Sequence, residues 1–152
     1  MLSDHLQRRR AETGMVLEFA RIASLVDQRV KALFAQHGLD VTPQQSRVLM
    51  VLFEARAPLT ARELAGRMGL AEPTMARFVK SLEAGGWLTR ARDPGDQRCW
   101  MLHPTEQARA ALPRFIAVSN AVMDRLFADL EVGDVARLAE QVSTLRAKLD
   151  AT

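Results

Sequence analysis

The sequence is poor in the residues from which most catalytic and metal sites are built. It has one cysteine, Cys99, in 152 residues, which excludes an intramolecular disulfide and points to a reducing compartment. Its three histidines, His5, His37 and His103, have no metal-ligand spacing, and none pairs with Cys99 in sequence. No G-x-G-x-x-G, phosphate-binding loop or nucleophile elbow occurs. Asp93 and Asp96 form a carboxylate pair, but inside a basic stretch, where they read as structural rather than as acid and base. Neither catalysis, nor a metal, nor a cofactor is therefore expected. Apolar runs stay well short of the ~20 residues that span a bilayer. The stretch "MLSDHLQRRRAET" has no apolar segment behind its arginines, so no secretory signal is expected and the expected location is the cytoplasm.

What the chain does have is arginine. It carries 18 arginines against 3 lysines, and the guanidinium suits bidentate contact with phosphate and guanine edges. A GC-rich genome would enrich arginine too, so the placement of charge says more. Residues 43–109 hold ten basic and seven acidic residues, while the remainder holds eleven of each, so the whole net charge of +3 falls on the middle of the chain. Hydrophobic residues at 48% are enough for a core.

The periodicity predicts mostly helix. Met15, Phe19, Ile22, Val26, Val30 and Leu33 recur at helical spacing, giving one long helix ending near Gly38. A second helix begins at Thr42-Pro43 with Gln45 at the capping-box position, buries Val48, Leu49, Leu52 and Phe53, and is expected to end at Pro58. A third, short helix has the Thr60-x-x-Glu63 capping spacing, faces Leu64, Ala65 and Met68 inward, and stops at Gly69. A fourth follows the turn "MGLAEPT", with Leu70 expected to plug the core. It starts on the weak cap Ala71, turns Met75, Phe78, Val79 and Leu82 inward, and ends at Gly85-Gly86. Pro73, Thr74, Arg77, Lys80 and Ser81 point outward from it.

The stretch "RARDPGDQRCW" then sets a basic, turn-forming loop between the short apolar segments "WLTRA" and "RCWML", the pattern of a β-hairpin. Two long helices close the chain. The first begins near Thr105 and carries Leu112, Phe115, Ile116, Val122, Leu126 and Leu130; the second carries Val135, Leu138, Val142, Leu145 and Leu149 in a 3-4 repeat. Short helix, tight turn, amphipathic helix and basic hairpin make a winged helix-turn-helix within a mainly helical fold. The second helix of that motif reads base edges near its N-terminus, where Thr74 and Arg77 stand; Glu72 is unfavourable near phosphate unless it accepts from a cytosine amino group. A winged helix serving as a protein-interaction module, without sequence-specific DNA binding, is the alternative.

The stretch from "VTPQQSRVLM" through "RDPGDQRCWMLHPTEQARAAL" resembles the core of the MarR family of bacterial transcriptional regulators. Its most specific part is the Asp96-x-Arg98 of the wing; departures from the family pattern stand at Ala76, Gln97, Pro104 and Ala108. The resemblance implies that Arg98 enters the minor groove while Asp96 shapes the wing. Thr74, Arg77 and Lys80, with Pro73 and Ser81, would work at the major groove, Arg90 and Arg92 on phosphate, and Arg47 and Arg62 would add phosphate contacts. It implies a repressor acting as a homodimer. Residues 1–41 and 105–152 would form the dimerisation region, through Leu112, Leu126, Leu138, Val142, Leu145 and Leu149, and residues 42–104 the DNA-binding lobe. A monomeric bundle core is the alternative reading of those stripes. A small anionic aromatic effector is implied as well, near Phe19, Arg21, Met50 and Phe53. Thiol sensors of the family place cysteine in the first helix, so Cys99 is expected to be a small packed residue.

Overall fold

The computed structural model describes residues 2–151. The first helix, α1, runs Leu2–Gln36. It is buried at its C-terminal end, at Leu33 and Phe34, while Met15, Phe19, Ile22 and Leu25 are exposed. Its end is held as an imidazole at that position predicts: His37 donates from Nδ1 to the Leu33 carbonyl at 2.9 Å. Arg114 in turn donates to the His37 carbonyl at 2.9 Å.

The second helix, α2 (Pro43–Glu54), has the expected capping box. Thr42 Oγ1 accepts the Gln45 N–H at 3.1 Å, and the Gln45 side chain accepts the Thr42 N–H at 2.9 Å. It stops at Glu54, four residues short of Pro58. A proline ring clashes with the carbonyl four residues before it, so Pro58 ends the helix at Glu54 rather than at its own position. The third helix, α3 (Ala61–Met68), repeats the capping box at Thr60 and Glu63 and ends on Gly69 at φ 63°. That left-handed conformation is why glycine stands there; a side chain would cost about 1 kcal/mol. The fourth helix, α4 (Glu72–Ala84), starts on Ala71 with no side-chain cap, as expected.

Strands β1 (Leu88–Arg92) and β2 (Trp100–Pro104) form the hairpin, antiparallel, with Leu88 opposite Pro104 and Arg92 opposite Trp100. Leu59 adds a single bridge to Leu102, whose N–H donates to the Leu59 carbonyl at 2.8 Å. Helix α5 spans Glu106–Phe127 and α6 Val132–Asp150. Thr105 caps α5, its Oγ1 accepting the Ala108 N–H at 3.2 Å and donating to the Gly86 carbonyl at 2.6 Å. Helix α5 continues through Pro113, which has no N–H for the Arg109 carbonyl; burial of Ala108, Ala111, Phe115 and Val118 along its inner face outweighs that loss. Leu130, expected on this helix, lies past its end in the turn before α6.

The chain divides into two units, one ending at Val118 and one starting at Ser119. The core of the first is Val48, Leu49, Leu64, Met75, Leu82, Leu88 and Leu102, with Phe115 meeting Phe34 and Trp87 edge to face. Phe53, Met68, Leu70 and Phe78, expected in this core, are half-buried. In the second unit α6 buries none of its side chains. Among the described residues no helix is long and apolar enough to cross a membrane.

Candidate nucleic-acid interface

Helix α4 presents the outer face the periodicity assigns to it. Its inner residues Met75, Val79 and Leu82 are buried, which fixes the rotation of the helix and turns Pro73, Arg77 and Lys80 outward. Arg77 and Lys80 have no ion-pair or hydrogen-bond partner among the described residues. Thr74 is half-buried at the first turn. Ser81 is not free: its hydroxyl accepts from Gln45 Nε2 at 2.7 Å, tying α4 to the start of α2. Glu72 lies 3.5 Å from Arg62, so the unfavourable carboxylate at the helix N-terminus is partly offset by a cation of α3.

The loop of the wing is built by its two aspartates. Asp93 Oδ1 accepts the Gly95 N–H and Asp96 Oδ1 accepts the Arg98 N–H, both at 3.0 Å. Each is a carboxylate bonding a backbone two residues on, the bond that makes Asp a turn former. The Asp93 N–H donates to the Cys99 carbonyl at 3.0 Å and closes the loop. Arg98 leaves this frame with its side chain 96% exposed, its Nε 3.9 Å from Asp96 Oδ1. The carboxylates are thus structural, and the arginine is held out on a shaped loop.

The other arginines singled out in the sequence are engaged. Arg47 pairs with Asp27 of α1, which also accepts from Gln44 at 3.1 Å. Arg90 pairs with Glu83 of α4 at 2.9 Å. Arg92 stacks on Trp100, its Cζ 3.8 Å from the ring centroid. Between α4 and the hairpin lies a groove of about 610 Å³ lined by Ala76, Val79, Lys80, Arg90 and Trp100 among others. Sequence reasoning missed Trp100 and Glu83; the signal for Trp100 was hairpin register, which places it across from Arg92.

Of the four residues suggested for an effector, Phe53 borders a cleft of the first unit. It lines this cleft of about 250 Å³ with Arg56, Pro58, His103 and Arg109, and neither Phe19, Arg21 nor Met50 is part of it. Phe19 and Arg21 are exposed on α1 and Met50 is half-buried. Of the dimerisation residues, Leu112 is half-buried, whereas Leu126, Leu138, Val142, Leu145 and Leu149 are exposed.

Cys99 is half-buried, and its thiol donates to Asp96 Oδ2 at 3.5 Å. That hydrogen bond, then the negative charge of Asp96, pushes the thiol pKa above its ordinary value. The thiolate is the reactive form, so this thiol is less reactive at neutral pH than a free cysteine. Asp96→Asn should therefore speed alkylation of Cys99 by iodoacetamide at pH 7.5, followed by mass spectrometry, and Cys99→Ser should leave any peroxide response unchanged. An alkylation rate that does not change in Asp96→Asn would remove Asp96 as the cause.

Residues 41–100 match the model of the MarR family. The HTH-type transcriptional regulator TtmR of Methylorubrum extorquens (strain PA1) is 37% identical over 79 residues, 52% of this chain; the match spans 39% of that regulator's length. Among solved structures, the S. aureus MepR–DNA complex superposes with a TM-score of 0.80 at 18% identity, over 88% of this chain and 96% of that one. CouR from Rhodococcus jostii RHA1, bound to p-coumaroyl-CoA, superposes with a TM-score of 0.75 at 22% identity, over 86% and 90%. At these identities the two structures establish the winged-helix fold. Two further relatives, YcgE and YkoM of Bacillus subtilis (strain 168), are likewise HTH-type transcriptional regulators.

Proposed function

We propose that the chain is a MarR-type regulator, as the match of residues 41–100 supports, and that it acts as a cytoplasmic, homodimeric repressor that binds a pseudo-palindromic operator and is released by a small anionic aromatic effector. The observation that carries the DNA reading is Arg98, a guanidinium 96% exposed on a loop that Asp93 and Asp96 hold in shape. A guanidinium held exposed on an ordered loop suits the narrow, strongly negative minor groove. On this reading Arg77 and Lys80, with Thr74 and Pro73, face the major groove. Arg47, Arg62 and Arg90 reach phosphate by exchanging their carboxylate partners for it. Ser81 acts through Gln45, as an anchor of α4. A second copy covers the exposed apolar residues of α1 and α6, which sets two recognition helices about one DNA turn, roughly 34–36 Å, apart. The effector shifts binding only through unequal affinity for the DNA-bound and released conformations.

Selection from a random DNA pool at near-physiological salt, read by sequencing, tests this. A pseudo-palindrome with half-sites one turn apart is expected. No enriched sequence, from protein shown to be folded and dimeric, would overturn the reading in favour of the interaction module. On the selected site, Lys80→Ala should lower the slope of log affinity against log salt by about 1, the effect of one lost phosphate contact. An unchanged slope would remove Lys80 from the interface.

A further inference from the structure

One face of the hairpin carries an arrangement that contact with DNA does not account for. Arg90 and Arg92 are two residues apart on β1 and so lie on the same face. Trp100 is the register partner of Arg92 on β2 and lies beneath both, with Arg92 Cζ 3.8 Å and Arg90 Cζ 5.8 Å from its ring centroid. Arg92 also donates from Nη1 to the Gln97 carbonyl at 2.8 Å, the carbonyl of the peptide that leads into Arg98. At the other end Arg90 donates to Glu83 of α4 through Nε at 3.3 Å and Nη2 at 2.9 Å. A continuous series of contacts therefore runs from the recognition helix through Glu83, Arg90, Trp100 and Arg92 to the backbone beside Arg98. Trp100 is 44% exposed, a large indole at the surface whose ring serves as a platform for guanidinium groups.

We propose that Arg92 and Trp100 are positioning residues that clamp the wing loop onto its strands and so set the direction of Arg98, while in the DNA-free protein the Arg90–Glu83 pair ties the same face to α4. The aspartates give the loop its local shape; the clamp orients that shape. Arg92 is then not a phosphate contact, because its stacking face and one of its donors are already committed. The consequence for DNA rests on the reading proposed above; the clamp itself does not.

The test is a double-mutant cycle on the selected operator, with Trp100→Ala and Arg92→Ala each made alone and together with Arg98→Ala. Each single variant should weaken binding about tenfold, within the range for coupled neighbours, and less than about twofold once Arg98 is gone. With Arg98→Ala already in place, Arg92→Ala should leave the salt slope unchanged; with Arg98 present, Trp100→Phe should recover most of the loss. Equal losses with and without Arg98, or a slope lowered by about 1 when Arg92→Ala is added to Arg98→Ala, would overturn the proposal. Amide hydrogen exchange without DNA supplies the independent readout. Both alanine variants should speed exchange at Asp93 and Cys99 relative to the strands. Unchanged exchange would overturn the clamp even if the operator is found. Faster exchange in a protein that selects no DNA would support the clamp and defeat the DNA reading alone.

Discussion

Arg98→Ala should weaken operator binding about 10- to 100-fold, the range of a good base-edge contact, while the protein stays folded and dimeric. The side chain touches little of its own protein, with its nearest charged partner 3.9 Å away, so its removal leaves no cavity and no buried group without a partner. The frame that carries it does not depend on the guanidinium, because Asp96 bonds the Arg98 backbone N–H. Nearly all the cost must then appear in binding. The loss should shrink when the A·T steps beneath the wing are replaced by G·C, since a narrow groove is what concentrates negative potential around the guanidinium. Fluorescence anisotropy on the two operators measures both effects. An affinity unchanged by the substitution would take the wing off the DNA and leave α4 to account for all of the recognition.

This wing also shows how far the sequence could be read. Asp93, Gly95, Asp96 and Arg98 act on neighbours within a few positions, so their turn chemistry was visible in the string itself. The capping boxes at Thr42 and Thr60 were legible for the same reason: each is a bond across three residues. The inner face of α4 was legible because the helical period is fixed. What was not legible depends on pairs distant in sequence. The Arg90–Glu83 pair spans a helix end and a turn. The bridge of Leu59 to Leu102 occupies a single residue, too short for any periodic pattern. The Gln45–Ser81 bond joins residues that periodicity assigned to separate tasks, and it gives the exposed Ser81 a partner within the protein.

The half-buried residues have a common cause too. Phe53 sits at the lip of the cleft formed with His103 and Arg109, and Leu70 in the turn after Gly69, so both are at edges of the core. Periodicity reports which face of an element is apolar, not whether the opposite wall extends far enough to cover it. On α1 the helical spacing was read correctly, yet Met15, Phe19 and Ile22 stay 39–50% exposed in a single chain. A stripe that meets its partner only in a second molecule looks the same in sequence as one that meets it in its own core.

On α6, Leu138, Val142 and Leu145 are each about two-fifths exposed and Leu149 more so. A 19-residue amphipathic helix that buries none of its side chains draws little stability from packing in one chain. On the homodimer proposed above, Leu138→Glu together with Leu145→Glu should give a monomer and lower operator affinity about 100-fold or more, because the second half-site is no longer bound intramolecularly. Both positions already meet solvent, so two carboxylates there do not empty a core, and circular dichroism should show the winged helix intact. Sedimentation measures the mass, and binding to an isolated half-site measures the lobe. A variant that remains dimeric would move the interface off this seam of α6. A monomer that binds the half-site as wild type does, and the full operator no better, separates a lost interface from a lost fold.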